Sequence, residues 1–187
     1  MALHVAVLSG FALAAAAGWV QRRAGAAAGW LLAVLPLGLA LYFAGLLRDA
    51  DHAGAITGSW AWVPGLGVNL SFYVDGLGLL FAILVTGIGA LVLVYAGGYL
   101  AGRPDAGRFQ GLTLAFMASM VGLVLAGNVI VLFVFWELTS IISYLLIGFD
   151  HARPAARAAA LQALVVTGGG GLALLAGLLL VGRAAGT

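Results

Sequence analysis

The stretch Leu112–Phe149, LTLAFMASMVGLVLAGNVIVLFVFWELTSIISYLLIGF, decides the fold. It holds about 38 residues and a single charge, Glu137. At ~1.5 Å per residue, one helix of this length would be near twice the ~30 Å thickness of a bilayer's hydrocarbon core. The chain must turn back, and Gly127-Asn128 is the natural place. The result is a tight hairpin of two helices, with Glu137 near the middle of the second.

Outward from this hairpin, similar uncharged runs recur. Ala2 to Val20 ends at Gln21-Arg22-Arg23, and Trp30 to Leu47 stops at Arg48-Asp49-Ala50-Asp51. Phe72 to Leu100 precedes the polar turn Gly102-Arg103-Pro104-Asp105. A last run, about Ala158 to Gly182, follows Pro154, which suits a first helical turn. The spacing predicts an all-α membrane protein with six transmembrane helices, at about 2–20, 30–47, 72–100, 111–127, 129–149 and 156–182. Together they form a single transmembrane domain over residues 1–187.

Composition supports this and excludes other classes. Hydrophobic residues make up 64% of the chain and charged ones 7%, with a mean hydropathy of +1.17. A soluble domain carries about 25% charged residues. Without cysteine there is no disulfide framework, thiolate metal site or cysteine nucleophile. His4, His52 and His151 are far apart near segment ends, so no metal site and no cofactor are expected. A net charge of +2 on so apolar a chain argues against nucleic-acid binding.

Arginine placement orients the helices. Arg22, Arg23, Arg103, Arg108, Arg153 and Arg157 fall on one side of a six-helix zigzag. Arg48 and Arg183 fall on the other, with Asp49, Asp51 and Asp75. The positive-inside rule then puts the arginine-rich loops in the cytoplasm and both termini outside, in the cell membrane. The first segment does not read as a cleaved signal peptide, because its positive charge follows the apolar run.

The loop from Arg48 to Ser71 alternates large and small residues around Pro64-Gly65. This pattern fits a short extended hairpin around residues 58–72 with Trp60 and Trp62 at interfacial depth. An amphipathic loop on the outer surface fits it as well. The run Gly168-Gly169-Gly170-Gly171 lacks the strand and Lys-Ser or Lys-Thr of a phosphate-binding loop. Small residues that let helices approach within lipid explain it better.

Glu137 demands a reason. A charge at the bilayer centre costs on the order of 3 kcal/mol on insertion scales. Ser140 and Tyr144 follow it at i+3 and i+7, and Thr139 and Ser143 form an adjacent i, i+4 pair. Such a polar stripe can hold water and carry protons. Alternatively, Glu137 is structural glue to another helix, with the hydroxyls bonded back to their own carbonyls. Asp75, at the start of the third helix, suits a helix N-terminus. Thr86, Tyr95, Gln162 and Thr167 are weaker pathway candidates. No basic residue lies deep in any span.

The run Phe135-Trp136-Glu137-Leu138-Thr139-Ser140-Ile141-Ile142-Ser143-Tyr144-Leu145-Leu146-Ile147-Gly148-Phe149 resembles the fifth-helix signature of antiporter-like subunits. Mrp-type multisubunit Na⁺/H⁺ antiporters, respiratory complex I and membrane-bound hydrogenases share these subunits. Asp75-Gly76-Leu77 and the segment ALQALVVTGGGGLALLAG are similar to the family as well. The Glu-Leu-Thr-Ser version resembles the A-type subunits of the Mrp antiporters more than complex I.

The resemblance implies that Glu137 pairs with a lysine on a seventh helix and takes part in proton translocation coupled to Na⁺ efflux. Ser140, Tyr144, Thr139 and Ser143 are then the implied channel-lining residues. The chain is expected to be the N-terminal part of a longer subunit, working with other subunits of a multisubunit complex. It has no lysine, so it does not complete a transport path alone. A proton-pumping subunit of complex I or a hydrogenase, and a non-transporting scaffold, are the alternative readings. In the first reading the protein belongs to a secondary transporter and is not an enzyme.

Overall fold

The computed structural model describes residues 3–53, 55–66 and 68–185. Six α-helices and one two-stranded sheet make up the described chain. In order these are α1 (Leu3–Ala24), α2 (Ala28–Ala53), β1 (Ile56–Val63), β2 (Val68–Val74), α3 (Gly76–Tyr99), α4 (Ala106–Val124), α5 (Val129–Ile147) and α6 (Pro154–Ala185).

Among the described residues, five helical stretches are long and apolar enough to cross a membrane: Leu3–Leu47, Gly76–Tyr99, Ala106–Val124, Val129–Ile147 and Pro154–Ala184. The first, at 45 residues, contains α1 and most of α2. Gly25 takes the left-handed conformation (φ 55°) that only glycine adopts without strain, and opens the single 3-10 turn Gly25–Ala27 between them. The protein is therefore a multi-pass helical membrane protein.

The hairpin foreseen around residues 58–72 is present, somewhat longer. β1 and β2 pair antiparallel from Ile56–Val74 to Val63–Val68, around a 3-10 turn at Pro64–Leu66. Proline supplies the fixed φ for that turn, and Trp60 and Trp62 project outward. The sheet corrects one expected boundary. Phe72 does not open the third helix, because residues up to Val74 serve the hairpin ladder. Asp75 stays extended, and its carboxylate accepts a 2.7 Å hydrogen bond from the Gly78 N–H, satisfying an otherwise unpaired donor at the start of α3.

Two other ends shift for similar reasons. α1 continues through Gln21, Arg22 and Arg23 to Ala24, and the Arg23 guanidinium lies 5.3 Å from the centre of the Trp19 ring. Long basic side chains reach the interface without ending the helix. α4 begins at Ala106, taking Arg108 and Gln110 into its first turns. Just before it, Arg103 and Asp105 form a 2.8 Å ion pair. The hydrogen bond from Arg103 holds the Asp105 carboxyl below the usual carboxylate range.

The α4–α5 turn is tied to the sheet. Asn128 caps α5 by accepting from the Val131 N–H (2.8 Å) and donates its amide to the Asn69 carbonyl (2.8 Å). The Gly127 N–H bonds the Ser71 carbonyl (2.8 Å), and the Tyr73 N–H bonds that of Leu125 (2.9 Å). A Cβ at Gly127 would stand 3.0 Å from the backbone of Ser71 and Phe72, which is why a glycine sits there.

Small residues bring the helices together. Gly10 of α1 faces Ala118 of α4, and Gly107 and Gly111 of α4 face Gly18 and Ala14 of α1. Gly29 of α2 lies against Gly97 of α3, backbone to backbone. Within lipid, such close approach replaces the hydrophobic effect as the source of helix association. Around these contacts Phe43, Phe72, Leu79, Leu93, Leu114 and Phe135 are buried. The fifth helix packs on α4 and α6, and α6 packs mainly on α5.

Contacts also define the two ends of the bundle. Arg22, Pro104 and Arg108 line one cleft, and Arg103 and Arg108 lie over the Phe149 ring at 5.8 and 5.5 Å. The α1–α2, α3–α4 and α5–α6 turns therefore gather at one end. At the other, the His4 ring lies tilted against that of Trp60 (5.4 Å between centroids), and a groove joins Asn69 and Asn128 to Gly182 of α6. The side chains of Arg48, Asp49, Asp51 and His52 lie outside the described residues.

Candidate functional site

Glu137 sits midway along α5, in a helix otherwise built from apolar and hydroxyl side chains. The residue is half-buried, and its carboxylate Oε1 is fully buried without a hydrogen-bond partner among the described residues. It is aimed at α6, where Gly171 is buried against it. A Cβ at Gly171 would collide with Oε1 and stand 3.2 Å from the carboxyl carbon. No ion pair reaches Glu137 among the described residues; the pairs formed are Arg103–Asp105 and Arg153–Asp150.

The hydroxyls of the predicted stripe differ in what they do. Thr139 Oγ1 and Ser140 Oγ both donate to the Trp136 carbonyl, at 2.7 and 3.2 Å. Their hydrogens are thus engaged one residue before Glu137 while their oxygen lone pairs stay available. Ser140 is buried, and Thr139, Ser143 and Tyr144 are half-buried along the same helix. The other side of α5 is purely apolar. There Val131, Val134, Phe135 and Leu138 line a cavity of about 590 Å³ shared with Phe11 and Trp60. Polar and apolar functions are segregated around one helix.

The weaker candidates are not brought to this site. Asp75 caps α3, as described above. Thr86 is buried in α3, with its hydroxyl donating to Ala82 at 2.6 Å. Tyr95 is 68% exposed and stacks on Tyr99 at 5.5 Å, so it lines no interior path among the described residues. Gln162 and Thr167 lie on exposed faces of α6. Gln110, which no motif in the sequence singles out, is fully buried in α4 with neither side-chain polar atom bonded among the described residues. Its signal in the sequence is weak, because residue 110 falls just before the apolar run that marks the helix. Gln21 of α1, packed against Gly107, likewise has a buried, unbonded Oε1.

Among the described residues, no group of three His, Cys, Asp or Glu side chains could hold a metal ion.

Comparison with known proteins gives this arrangement its context. The family model described as "NADH-Ubiquinone oxidoreductase (complex I), chain 5 N-terminus" matches residues 60–110. The model described as "NADH:quinone oxidoreductase/Mrp antiporter, TM" matches residues 126–187. The chain belongs to the antiporter-like family of membrane subunits that these two models describe.

Within that family it matches the N-terminal part of the A-type subunits of Mrp antiporters. The A-type subunit of the Na(+)/H(+) antiporter of Bacillus subtilis is 41% identical over 181 residues, covering 96% of this chain and 23% of that protein. A probable K(+)/H(+) antiporter A/B-type subunit of Rhizobium meliloti is 43% identical over 158 residues, 84% of this chain and 16% of that one. Among solved structures, the Mrp complex from Dietzia sp. DQ12-45-1b superposes with a TM-score of 0.81 at 38% identity, over 99% of this chain and 20% of that chain. The chain spans less than a quarter of the length of these two curated relatives.

Proposed function

We propose that the chain is part of an A-type subunit of a multisubunit cation/proton antiporter in the cell membrane, and that it contributes Glu137 to proton translocation coupled to Na⁺ efflux. Other antiporter subunits, the lipid bilayer, protons and Na⁺ are its partners in this reading. One observation carries the role of Glu137: an ionisable side chain in mid-helix, its buried oxygen without a partner among the described residues, where a non-functional position would hold an apolar residue. The related A-type subunit of Bacillus subtilis, named for Na⁺/H⁺ antiport, supports Na⁺ as the coupled cation. The test is Na⁺-dependent proton flux in membrane vesicles carrying the assembled complex, in which neutralising Glu137 removes the flux. The Rhizobium relative is named for K⁺, and this favours a second reading with K⁺ as the coupled cation. Flux driven by Na⁺ but not by an equal K⁺ gradient supports the first reading, and the reverse supports the second.

Six spans with both termini outside complete the proposal. The gathering of Arg22, Arg103 and Arg108 at one end of the bundle supports it, since arginine-rich ends face the cytoplasm. Single cysteines can be placed in this cysteine-free chain at Ala26, Ala101, Ala152 and Ala61, all exposed. With an impermeant thiol reagent, only Ala61→Cys should be labelled in intact cells. The other three should react only after permeabilisation. Labelling of Ala26→Cys or Ala101→Cys in intact cells, with Ala61→Cys silent, would invert the topology.

A further inference from the structure

Four successive glycines, Gly168–Gly171, lie in α6, yet they are not equivalent. A Cβ at Gly168, Gly169 or Gly170 would meet nothing within 4 Å. At Gly171 it would occupy the space now held by Glu137 Oε1, with the Trp136 ring 3.7 Å away. Gly171 is buried, whereas Gly169 and Gly170 are exposed. One glycine of the four therefore forms a notch on α6, and the carboxylate of α5 fills it.

We infer that Gly171 is the positioning residue of Glu137, fixing on which side of α5 and at what distance from α6 its carboxylate sits; this rests on the transport reading of Glu137. The physical argument is steric. Only χ1 and χ2 of glutamate occupy staggered wells, so a carboxylate displaced from the notch either turns about its soft terminal torsion or moves to another rotamer. Its Oε1 then leaves the α5–α6 contact by an ångström or more, and misplacement on that scale costs a reacting group on the order of 10²-fold. Helix propensity pulls the other way. Alanine is the better helix former, so on that ground each Gly→Ala change in the run should favour α6. A loss confined to Gly171→Ala would thus have a local origin in the notch.

The experiment compares Gly171→Ala, Gly169→Ala, Glu137→Asp and the double variant Gly171→Ala/Glu137→Asp in the full complex. Assembly is followed on native gels. Proton flux is read in vesicles, together with the rate at which N,N′-dicyclohexylcarbodiimide modifies the residue-137 carboxyl, quantified by mass spectrometry. Gly171→Ala should lower flux at least tenfold and alter the modification rate, while Gly169→Ala stays within twofold of the parent in both. Aspartate retracts the carboxyl by one methylene and makes room for the new methyl group. The double variant should therefore exceed Gly171→Ala alone in flux, or in assembly if the single change impairs assembly. An unchanged modification rate in Gly171→Ala, or a double variant no better than the single one, would overturn the positioning role. An altered rate with parental flux would uphold the positioning and refute the transport role of Glu137.

Discussion

Glu137→Gln is expected to leave the complex assembled and to lower cation-dependent proton flux at least a hundredfold. Glutamine keeps the volume of the carboxyl and its capacity for hydrogen bonds, but it cannot carry a negative charge. The exchange is sterically mild, because an amide nitrogen replaces a carboxylate oxygen of nearly the same size. It is mild energetically as well, since a neutral amide is cheaper to bury than an ionised carboxylate. If Glu137 were only glue between α5 and α6, glutamine would serve nearly as well. The loss arises if the charge tunes a cation further along the proton path. Two unit charges 4 Å apart at an effective dielectric of 20 interact by ~4 kcal/mol. That is roughly a thousandfold in the protonation equilibrium of the partner. Removing it leaves the partner in one protonation state throughout the cycle.

The second large effect is on the fold itself. Gly97→Leu is expected to abolish assembly, whereas Gly98→Leu, one residue on, should be tolerated. A Cβ at Gly97 would stand 2.9 Å from the Cα of Gly29, and one at Gly29 would stand 2.5 Å from the Leu93 carbonyl oxygen. Both neighbours are helix backbone, so no flexible side chain can give way. A leucine there must push α2 away from α3, and with it the packing around Leu32, Phe43 and Leu93. Inserting surplus methylenes into a packed core already costs about 1–3 kcal/mol where side chains can adjust. Here the whole helix pair is at stake, because close approach is what holds it together in lipid. Gly98 meets nothing within 4 Å, so its replacement tests bulk without the clash. The readout is the amount of assembled complex on a native gel. Equal assembly of the two variants would show that the α2–α3 contact does not hold the bundle.

What was legible in the sequence was local. Apolar runs broken by arginine and aspartate marked the helices, Gly127-Asn128 marked the α4–α5 turn, and alternation around Pro64-Gly65 marked the hairpin. Each is a signal carried by neighbouring residues. What was not legible depends on residues brought together from afar. Phe72 closed the alternating run of the hairpin and also opened the apolar run of the third helix, and neither pattern says that the ladder runs on to Val74, opposite Ile56. Nor does the glycine run reveal which of its members faces α5. The rotation of α6 decides that, and it singles out Gly171. Tyr95 was a candidate for an interior path by residue type alone, and stacking on Tyr99 puts it on an exposed face. Gln110 was overlooked for the opposite reason. Its significance lies in full burial within the bundle, which only the packing discloses. Glu137 stood out in the sequence because it is the only glutamate and lies inside an apolar run; its neighbour Gly171 did not.

The central claim, that the charge of Glu137 drives its function, is tested most directly by proton flux in vesicles from matched preparations of the parent, Glu137→Gln and Glu137→Asp complexes. Flux should be imposed by a cation gradient and normalised to assembled complex on native gels. The expected result is flux in the parent, partial flux in Glu137→Asp, where the charge is kept but withdrawn by one methylene, and none above background in Glu137→Gln. Parental flux from a fully assembled Glu137→Gln complex would contradict it.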